Sequence, residues 1–173
     1  MLKKKETLIK IVIRPTPRAV ELCRQLEEGK VEELTVDITG EKPDIHPEDW
    51  PYFFTALEKN NSLRKLKLRG MFGGSTMKLL CGILKQNETL TDLSMFLYAQ
   101  DEEACKDIAS LLALNRTLTS LRIERFGVDN PVLLSLGMPQ CTITRLCLRR
   151  AGIGSDRMFL IYDLLLRNTL LSL

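Results

Sequence analysis

The sequence predicts an α/β fold in which short parallel strands alternate with helices along a repeating chain. The first observation is a pattern, Asn-x-x-Leu-x-x-Leu-x-Leu, that returns every 25 to 28 residues. The second is a set of apolar residues with helical spacing that recurs at a fixed distance before the copies. The third is that one unit is too short to bury its own apolar face, so neighbouring units must stack. Together these observations predict a solenoid of strand–loop–helix units.

Each copy of the pattern contributes one predicted strand, whose alternating apolar residues point to one side of a sheet. The copies are Asn60, Leu63, Leu66 and Leu68; Asn87, Leu90, Leu93 and Met95; Asn115, Leu118, Leu121 and Ile123; Gln140, Ile143, Leu146 and Leu148; and finally Asn168 and Leu171. Upstream, Val31, Leu34 and Val36 predict an earlier strand. Leu8, Ile11 and Ile13 predict a degenerate first strand.

The helix of each unit is predicted from three apolar residues whose spacing places them on one helical face. The four sets are Phe53, Ala56 and Leu57; Leu80, Ile83 and Leu84; Ile108, Leu111 and Leu112; and Ile161, Leu164 and Leu165. The segment from Asn130 to Met138 has Pro131 near its start, and Pro139 follows it. We therefore expect a helix of only about two turns there.

The pattern resembles the leucine-rich repeats of the ribonuclease-inhibitor type, which have about 28 residues per unit. This resemblance implies a horseshoe arc with parallel strands on the concave face and helices on the convex face. We expect one such domain over residues 1–173, with residues 1–36 as diverged N-terminal units or a cap. Residues 37–173 are predicted to form regular repeats with an uncapped C-terminal end, covered by further chain, a second copy or a partner.

The family places an Asn or Cys after each strand, and this chain departs from that rule. The corresponding positions hold Met71, Tyr98, Phe126 and Ala151. We therefore expect a ladder of apolar plugs in place of an asparagine ladder after the strands. Phe72 and Leu97, beside the same loops, are expected to be exposed.

Composition argues against several classes of function. The formal net charge of +3 is too small to indicate nucleic-acid binding by itself. His46 is the only histidine in the sequence, and the five cysteines lack the spacing of zinc ligands. No glycine-rich phosphate loop is complete. We expect no catalytic residue, metal, cofactor or small-molecule substrate.

The sequence also lacks a convincing secretory signal and any run long enough to span a membrane. An odd number of cysteines without paired spacing indicates reduced thiols and an intracellular protein.

Strand alternation predicts which side chains point out of the concave face. The predicted partner-binding residues are Lys65, Lys67, Arg69, Asp92, Ser94, Phe96, Arg122, Glu124, Arg145 and Arg149, with Phe72 and Leu97 at the periphery. Basic residues outnumber acidic ones in this set, so we expect a protein partner with an acidic surface. Phe96 is predicted to be an apolar anchor among charges. The alternative is that each position is merely solvated, as on any soluble sheet. Nucleic acid is disfavoured because Asp92 and Glu124 interrupt the basic surface.

The repeats contain Asn-x-Thr-Leu at residues 87–90 and 115–118. This feature resembles leucine-rich-repeat effectors that intracellular bacteria such as Legionella deliver into host cells. The resemblance implies a non-catalytic module that binds a host protein or a second effector, an enzyme among the candidates, and occludes its surface. The alternative is a regulatory or sensor segment of a larger protein.

Overall fold

A computed structural model of the chain describes residues 15–39, 43–70, 72–97, 102–125, 127–128 and 130–167. In these residues five strands form one parallel sheet in the order of the sequence. The strands are β1 Glu33–Asp37, β2 Lys65–Gly70, β3 Asp92–Leu97, β4 Ser120–Glu124 and β5 Arg145–Arg149. The predicted α/β class and the parallel pairing are confirmed.

Helices connect the strands, as parallel pairing requires. They are α1 Pro17–Glu27, α2 Trp50–Lys59, α3 Gly74–Gln86, α4 Glu102–Leu114, α5 Asn130–Leu136 and α6 Met158–Arg167. Single 3₁₀ turns at Pro47–Asp49 and Ser155–Arg157 lead into α2 and α6. Each helix packs against the next one along the chain. With seven residues, α5 is the short helix that the flanking prolines predict.

The repeat register in the structure is the one that the pattern predicts. Leu66, Leu93, Leu121 and Leu146 lie side by side across β2 to β5, as do Leu68, Met95, Ile123 and Leu148. The residues on β2 to β4 are fully buried beneath the helices, whereas those on β5 are half-buried. Most of the predicted helix residues are buried too; Ile83 and Ile161 are half-buried. The side chains of Leu164 and Leu165 lie outside the described residues.

An asparagine ladder does exist, but it runs before the strands. Asn60 and Asn115 are buried, and each side-chain oxygen accepts hydrogen bonds from the backbone N–H groups two and three residues ahead. Each side-chain NH₂ donates to the preceding unit: Asn60 to Leu26 O at 2.6 Å and Asn115 to Leu84 O at 2.8 Å. Asn87 accepts the same pair of N–H bonds. These residues join consecutive units through buried, satisfied polar contacts.

Gln140 does not take over this role in the following unit. Its side chain is exposed, and its amide approaches the sulfur of Met138. In this unit, the hydroxyl of Thr142 makes a bond to the preceding unit, donating to Leu118 O at 2.6 Å. The ladder therefore ends at Asn115 within the described residues.

The expected exposure of Phe72 is wrong. Its ring is buried and packs on Trp50, with the ring centroids 5.5 Å apart. Trp50 also contacts Phe53 and Phe54, so α2 supplies an apolar socket for the loop that follows β2. Phe72 is thereby a core residue and no longer a candidate for the periphery of a binding surface.

The predicted apolar plug at Ala151 is confirmed by its burial. The plugs predicted at Met71, Tyr98 and Phe126 lie outside the described residues, as do the degenerate strand near residues 8–13 and the last copy of the pattern. Leu97 ends β3, but its side chain is also outside them. At the N-terminal side, Leu34 and Val36 are buried on β1, which confirms the predicted earlier strand.

Candidate functional site

The sheet has one side covered by helices and one side that they leave open. We call the second side the open face. Strand register arranges its fifteen side chains in three rows across the five strands. The first row is Glu33, Lys65, Asp92, Ser120 and Arg145; the second is Thr35, Lys67, Ser94, Arg122 and Cys147; the third is Asp37, Arg69, Phe96, Glu124 and Arg149. All ten residues predicted from strand alternation lie on this face.

At the β1 side, each of the two β1 carboxylates on the open face pairs with one cation of β2. Lys65 contacts Glu33, and Arg69 lies 3.6 Å from Asp37. The hydrogen bond from Lys65 to Glu33 raises the pKa of the lysine. Hydrogen bonds from Thr39 hold the pKa of Asp37 below its usual value, with Arg69 adding to the effect. With β1 included, the face is an alternation of charges and less uniformly basic than strands β2 to β5 alone predict.

Toward β5, arginines reach across neighbouring strands. Arg145 Nη2 lies 3.2 Å from Asp92 Oδ1 and passes over Ser120 on the intervening strand. Arg122 Nε donates to Cys147 Sγ at 3.4 Å. These contacts hold the long side chains along the sheet, where they form the floor of a broad groove of about 730 Å³ over the first two rows.

Phe96 lies at the centre of the third row and is half-buried. Two cations cover its ring: Lys67 Nζ is 5.5 Å and the Arg69 guanidinium carbon 5.4 Å from the ring centroid. Such contacts contribute about 0.5–1 kcal/mol at exposed sites. Phe96 therefore lies on the open face with two β2 cations over its ring.

Glu124 departs from the prediction, because it lies on the open face yet is only 8% exposed. Its neighbours in the row are Phe96 and Arg149, and Arg122 approaches from the row before. Oε1 lies 3.4 Å from Arg122 Nε and 3.8 Å from Arg149 Nη1, while accepting no hydrogen bond from the described residues. The long neighbouring side chains therefore bury a carboxylate that alternation alone predicts to be exposed.

Two further arginines, which the sequence reasoning missed, follow the strand ends. Arg125 and Arg150 have φ angles of 57° and 52°, in the left-handed region that costs about 1–2 kcal/mol for a non-glycine residue. They line a pocket of about 210 Å³ together with Arg69, Phe96, Glu124 and Arg149. Strand alternation cannot place them, because the backbone leaves extended geometry at these residues. The dipeptides Glu124-Arg125 and Arg149-Arg150, each at a strand end, are the signal in the sequence.

Two features of the described residues concern metal binding and the reactivity of thiols. No group of three or more His, Cys, Asp or Glu side chains in them comes together as metal ligands. No disulfide joins any of the five cysteines in the described part of the chain, and burial raises the pKa of the Cys81 thiol to about 12 and of Cys23 to about 11. Such thiols are protonated and poor nucleophiles at neutral pH. No helix in the described part of the chain is both long and apolar enough to cross a bilayer.

Comparisons with known proteins bear on the fold. No protein-family model matches the chain. A human protein, NACHT, LRR and PYD domains-containing protein 7, is 27% identical over 113 residues, which cover 62% of this chain and 12% of that protein. This chain therefore corresponds to a small part of that relative's length.

Two solved structures have the same architecture. Leiomodin-1 actin-binding site 2 aligns with a TM-score of 0.68 and 19% identity, covering 89% of this chain and 90% of that one. The C-terminal domain of tropomodulin from Caenorhabditis elegans aligns with a TM-score of 0.65 and 13% identity, covering 86% and 92%. These likenesses, together with the human relative, support a leucine-rich-repeat-like fold.

Proposed function

We propose that this chain is a non-catalytic protein-binding module that uses the open face of its sheet. The observation that supports this proposal best is the arrangement of Phe96, whose aromatic ring lies beside Lys67 and Arg69 on a parallel sheet. Aromatic and arginine side chains are the residue types that dominate binding energy at protein interfaces. A preformed face of this kind binds without the entropic cost of ordering loops.

The partner that this face suits presents an acidic surface with at least one apolar side chain. Its acidic groups would lie over the basic stripe of β2 and the arginines of β5, and its apolar side chain over Phe96. The carboxylates of β1 would repel an acidic partner at that side and so fix its orientation. Charge complementarity of this kind speeds association and selects the partner more than it raises affinity.

The mechanism we propose is steric occlusion, with the sheet as the concave face of a repeat arc. A partner lying on this face loses access to its own covered surface, which inhibits it when that surface surrounds an active site. The Asn-x-Thr-Leu repeats favour a bacterial effector as the setting, with a host protein or a second effector as the target. Its location would be the cytoplasm, including that of a host cell after delivery.

The test is capture of partners from cell lysate, followed by affinity measurement with the purified partner. The variant Lys67→Glu, Phe96→Ala, Arg122→Glu changes the second and third rows of the face. We expect it to weaken binding more than about tenfold, since it removes an aromatic anchor and reverses two charges.

A matched control makes the same kinds of change on the helical side. Lys78→Glu, Leu79→Ala and Lys85→Glu lie on α3, where Leu79 is 57% exposed. This variant should bind like the unaltered chain. Equal affinity for all three proteins, or a loss confined to the α3 variant, would place binding away from the open face.

A second candidate function is a regulatory or sensor segment of a larger protein. The observation that favours it is the similarity to one part of a large human protein with leucine-rich repeats in its name. Capture of neighbouring domains of the same protein, in place of a separate partner, would support this alternative.

A further inference from the structure

We infer that the pocket at the strand ends receives an acidic side chain of the partner. An apolar side chain of the partner, next to the acidic one, rests on Phe96. Glu124 competes with the incoming acid for the neighbouring arginines. This inference rests on the proposed function and specifies which part of the open face selects the partner.

The charges lining the pocket favour an anionic ligand. Four of its residues are arginines, Arg69, Arg125, Arg149 and Arg150, against a single carboxylate, Glu124. Arg69 also lies 3.6 Å from Asp37. A volume of about 210 Å³ is suited to one side chain and lies below the ~300–1,000 Å³ of ordinary small-molecule sites. Guanidinium groups match the planar geometry of a carboxylate with two parallel hydrogen bonds.

Arg150 is the best-placed cation to meet the ligand first. Its side chain is exposed, and no carboxylate of the described residues lies within ion-pair distance of it. Its backbone adopts a left-handed conformation that glycine takes without strain.

Glu124 holds the neighbouring arginines only loosely. Its distances of 3.4 Å to Arg122 Nε and 3.8 Å to Arg149 Nη1 exceed the ~2.7–2.9 Å of a charge-assisted hydrogen bond. The arginines can therefore turn toward a second carboxylate at little cost. Until then, the buried Glu124 offsets their mutual repulsion. An incoming acid must overcome this internal anion, so removal of the Glu124 charge should strengthen binding.

Phe96 gives the pocket an apolar wall next to its positive charges. The ring is half-buried, so part of it remains available to a partner side chain. The preferred ligand is therefore a segment with an acidic residue beside an aromatic or aliphatic one. A phosphorylated residue carries the same kind of charge, and a nucleic acid would present phosphates without the apolar neighbour.

The experiment titrates ¹⁵N-labelled protein with the capped peptide Gly-Asp-Phe-Asp-Gly and follows the backbone amide signals. Three comparison probes are the Asn-for-Asp peptide, the phosphoserine-for-Asp peptide, and a single-stranded oligonucleotide. We expect the acidic peptide to shift signals near Phe96 and Arg149, and the Asn peptide to bind at least about tenfold more weakly.

Three variants separate the roles. Arg149→Gln with Arg150→Gln should weaken binding of the acidic peptide by about tenfold or more, because two cations are lost. Glu124→Gln, which keeps the shape and removes the charge, should strengthen it roughly threefold or more. Lys78→Gln with Lys85→Gln on α3 makes the same charge change as the arginine pair and should leave it unchanged. Arg150→Gln alone alters an exposed side chain, so it keeps the test available if the double variant does not fold.

Several outcomes would overturn the inference. These are absence of peptide binding, equal binding of the Asn peptide, weaker binding by Glu124→Gln, or preference for the phosphoserine peptide or the oligonucleotide. If the acidic peptide fails while lysate capture still depends on the open face, the inference falls and the proposed function stands. If the peptide binds but no partner depends on Lys67, Phe96 and Arg122, the proposed function fails instead.

Discussion

The two ends of the sheet differ in how the cations of the open face are paired with carboxylates. At the first end, formed by β1 and β2, two cations of the open face each contact their own carboxylate on the neighbouring strand. At the second end, formed by β4 and β5, Arg122 and Arg149 share Glu124, and Arg145 reaches across a strand to Asp92. On the open face, the first end carries three cations against two carboxylates, and the second end carries three cations against one. The excess of positive charge is therefore larger at the second end.

The apolar side of the sheet also differs between the ends, because its residues are less buried at the second end than at the first. Leu66 and Leu68 on β2 are almost fully buried, while Leu146 and Leu148 on β5 are half-buried. The aromatic cluster around Trp50 belongs to the first end, and Phe159 and Tyr162 of α6, near the second, are more than 60% exposed. The repeat pattern therefore specifies a common backbone, while the stability of each unit depends on the neighbouring units that cover it.

The strongest test of packing makes the same leucine-to-alanine change at each end. Leu66 and Leu146 occupy the same register position, three strands apart. Leu66→Ala should lower the free energy of unfolding by about 2–5 kcal/mol, because it leaves a cavity in a closed core. Leu146→Ala should cost about half as much, since part of its surface already meets water.

Urea unfolding followed by circular dichroism measures both variants, with Leu79→Ala as an exposed control. Equal losses at the two positions would mean that the second end is packed as tightly as the first, and the contrast between the ends would not hold.

The next effect concerns the asparagine ladder. Asn115→Ala removes a buried side chain that serves two N–H groups and two carbonyl groups, so it should cost about 2–3 kcal/mol or more. Gln140→Ala, at the matching position of the following unit, should cost less than about 0.5 kcal/mol, because its side chain is exposed. Thermal and urea unfolding compare them. A comparable loss at Gln140 would show that the ladder continues into the β5 unit.

Much of this architecture follows from the sequence because it depends on local periodicity. The register of Leu66, Leu93 and Leu121 is already implied by the spacing of the repeats, and the short α5 by its flanking prolines. Outward positions such as Lys67 and Arg122 follow from strand alternation. Each of these inferences needs only neighbours along the chain.

The residues that sequence reasoning misplaced depend on contacts between distant segments. Phe72 is buried because Trp50 of the preceding helix provides a socket for it. Glu124 is buried because arginines from two strands extend over it. Arg125 and Arg150 join the pocket because the backbone turns left-handed at each. A repeat pattern carries no information about side-chain reach or about single residues that leave extended geometry.

Backbone conformation offers a third, smaller test of the difference between the ends. Beside β1, a Cβ on Gly70 would lie 2.1 Å from Cγ1 of Ile38, and its φ of 142° also disfavours other residues. Gly70→Ala should therefore lower the free energy of unfolding by about 1–3 kcal/mol.

Arg150→Gly removes backbone strain at the second end. The melting temperature of this variant should therefore stay equal or rise, while its binding of the acidic peptide falls. A drop in both quantities would indicate that Arg150 stabilises the fold.

The smallest effect is a pH dependence confined to the first end. Hydrogen bonds from Thr39, and the nearby Arg69, hold the pKa of Asp37 below its usual value in the folded chain. The Asp37 carboxylate therefore makes its full contribution to stability at pH values above its unfolded pKa of about 4. This contribution disappears as the pH falls through the lower pKa that Asp37 has in the folded chain. Asp37→Asn should reduce stability slightly at pH 7 and match the unaltered chain in strong acid. Urea midpoints measured between pH 2 and pH 7 test this, with Asp107→Asn on α4 as the control for losing a surface charge. A difference that stays constant across the range would mean that Asp37 acts through its shape or packing, because a charge effect must vanish once the carboxylate is protonated.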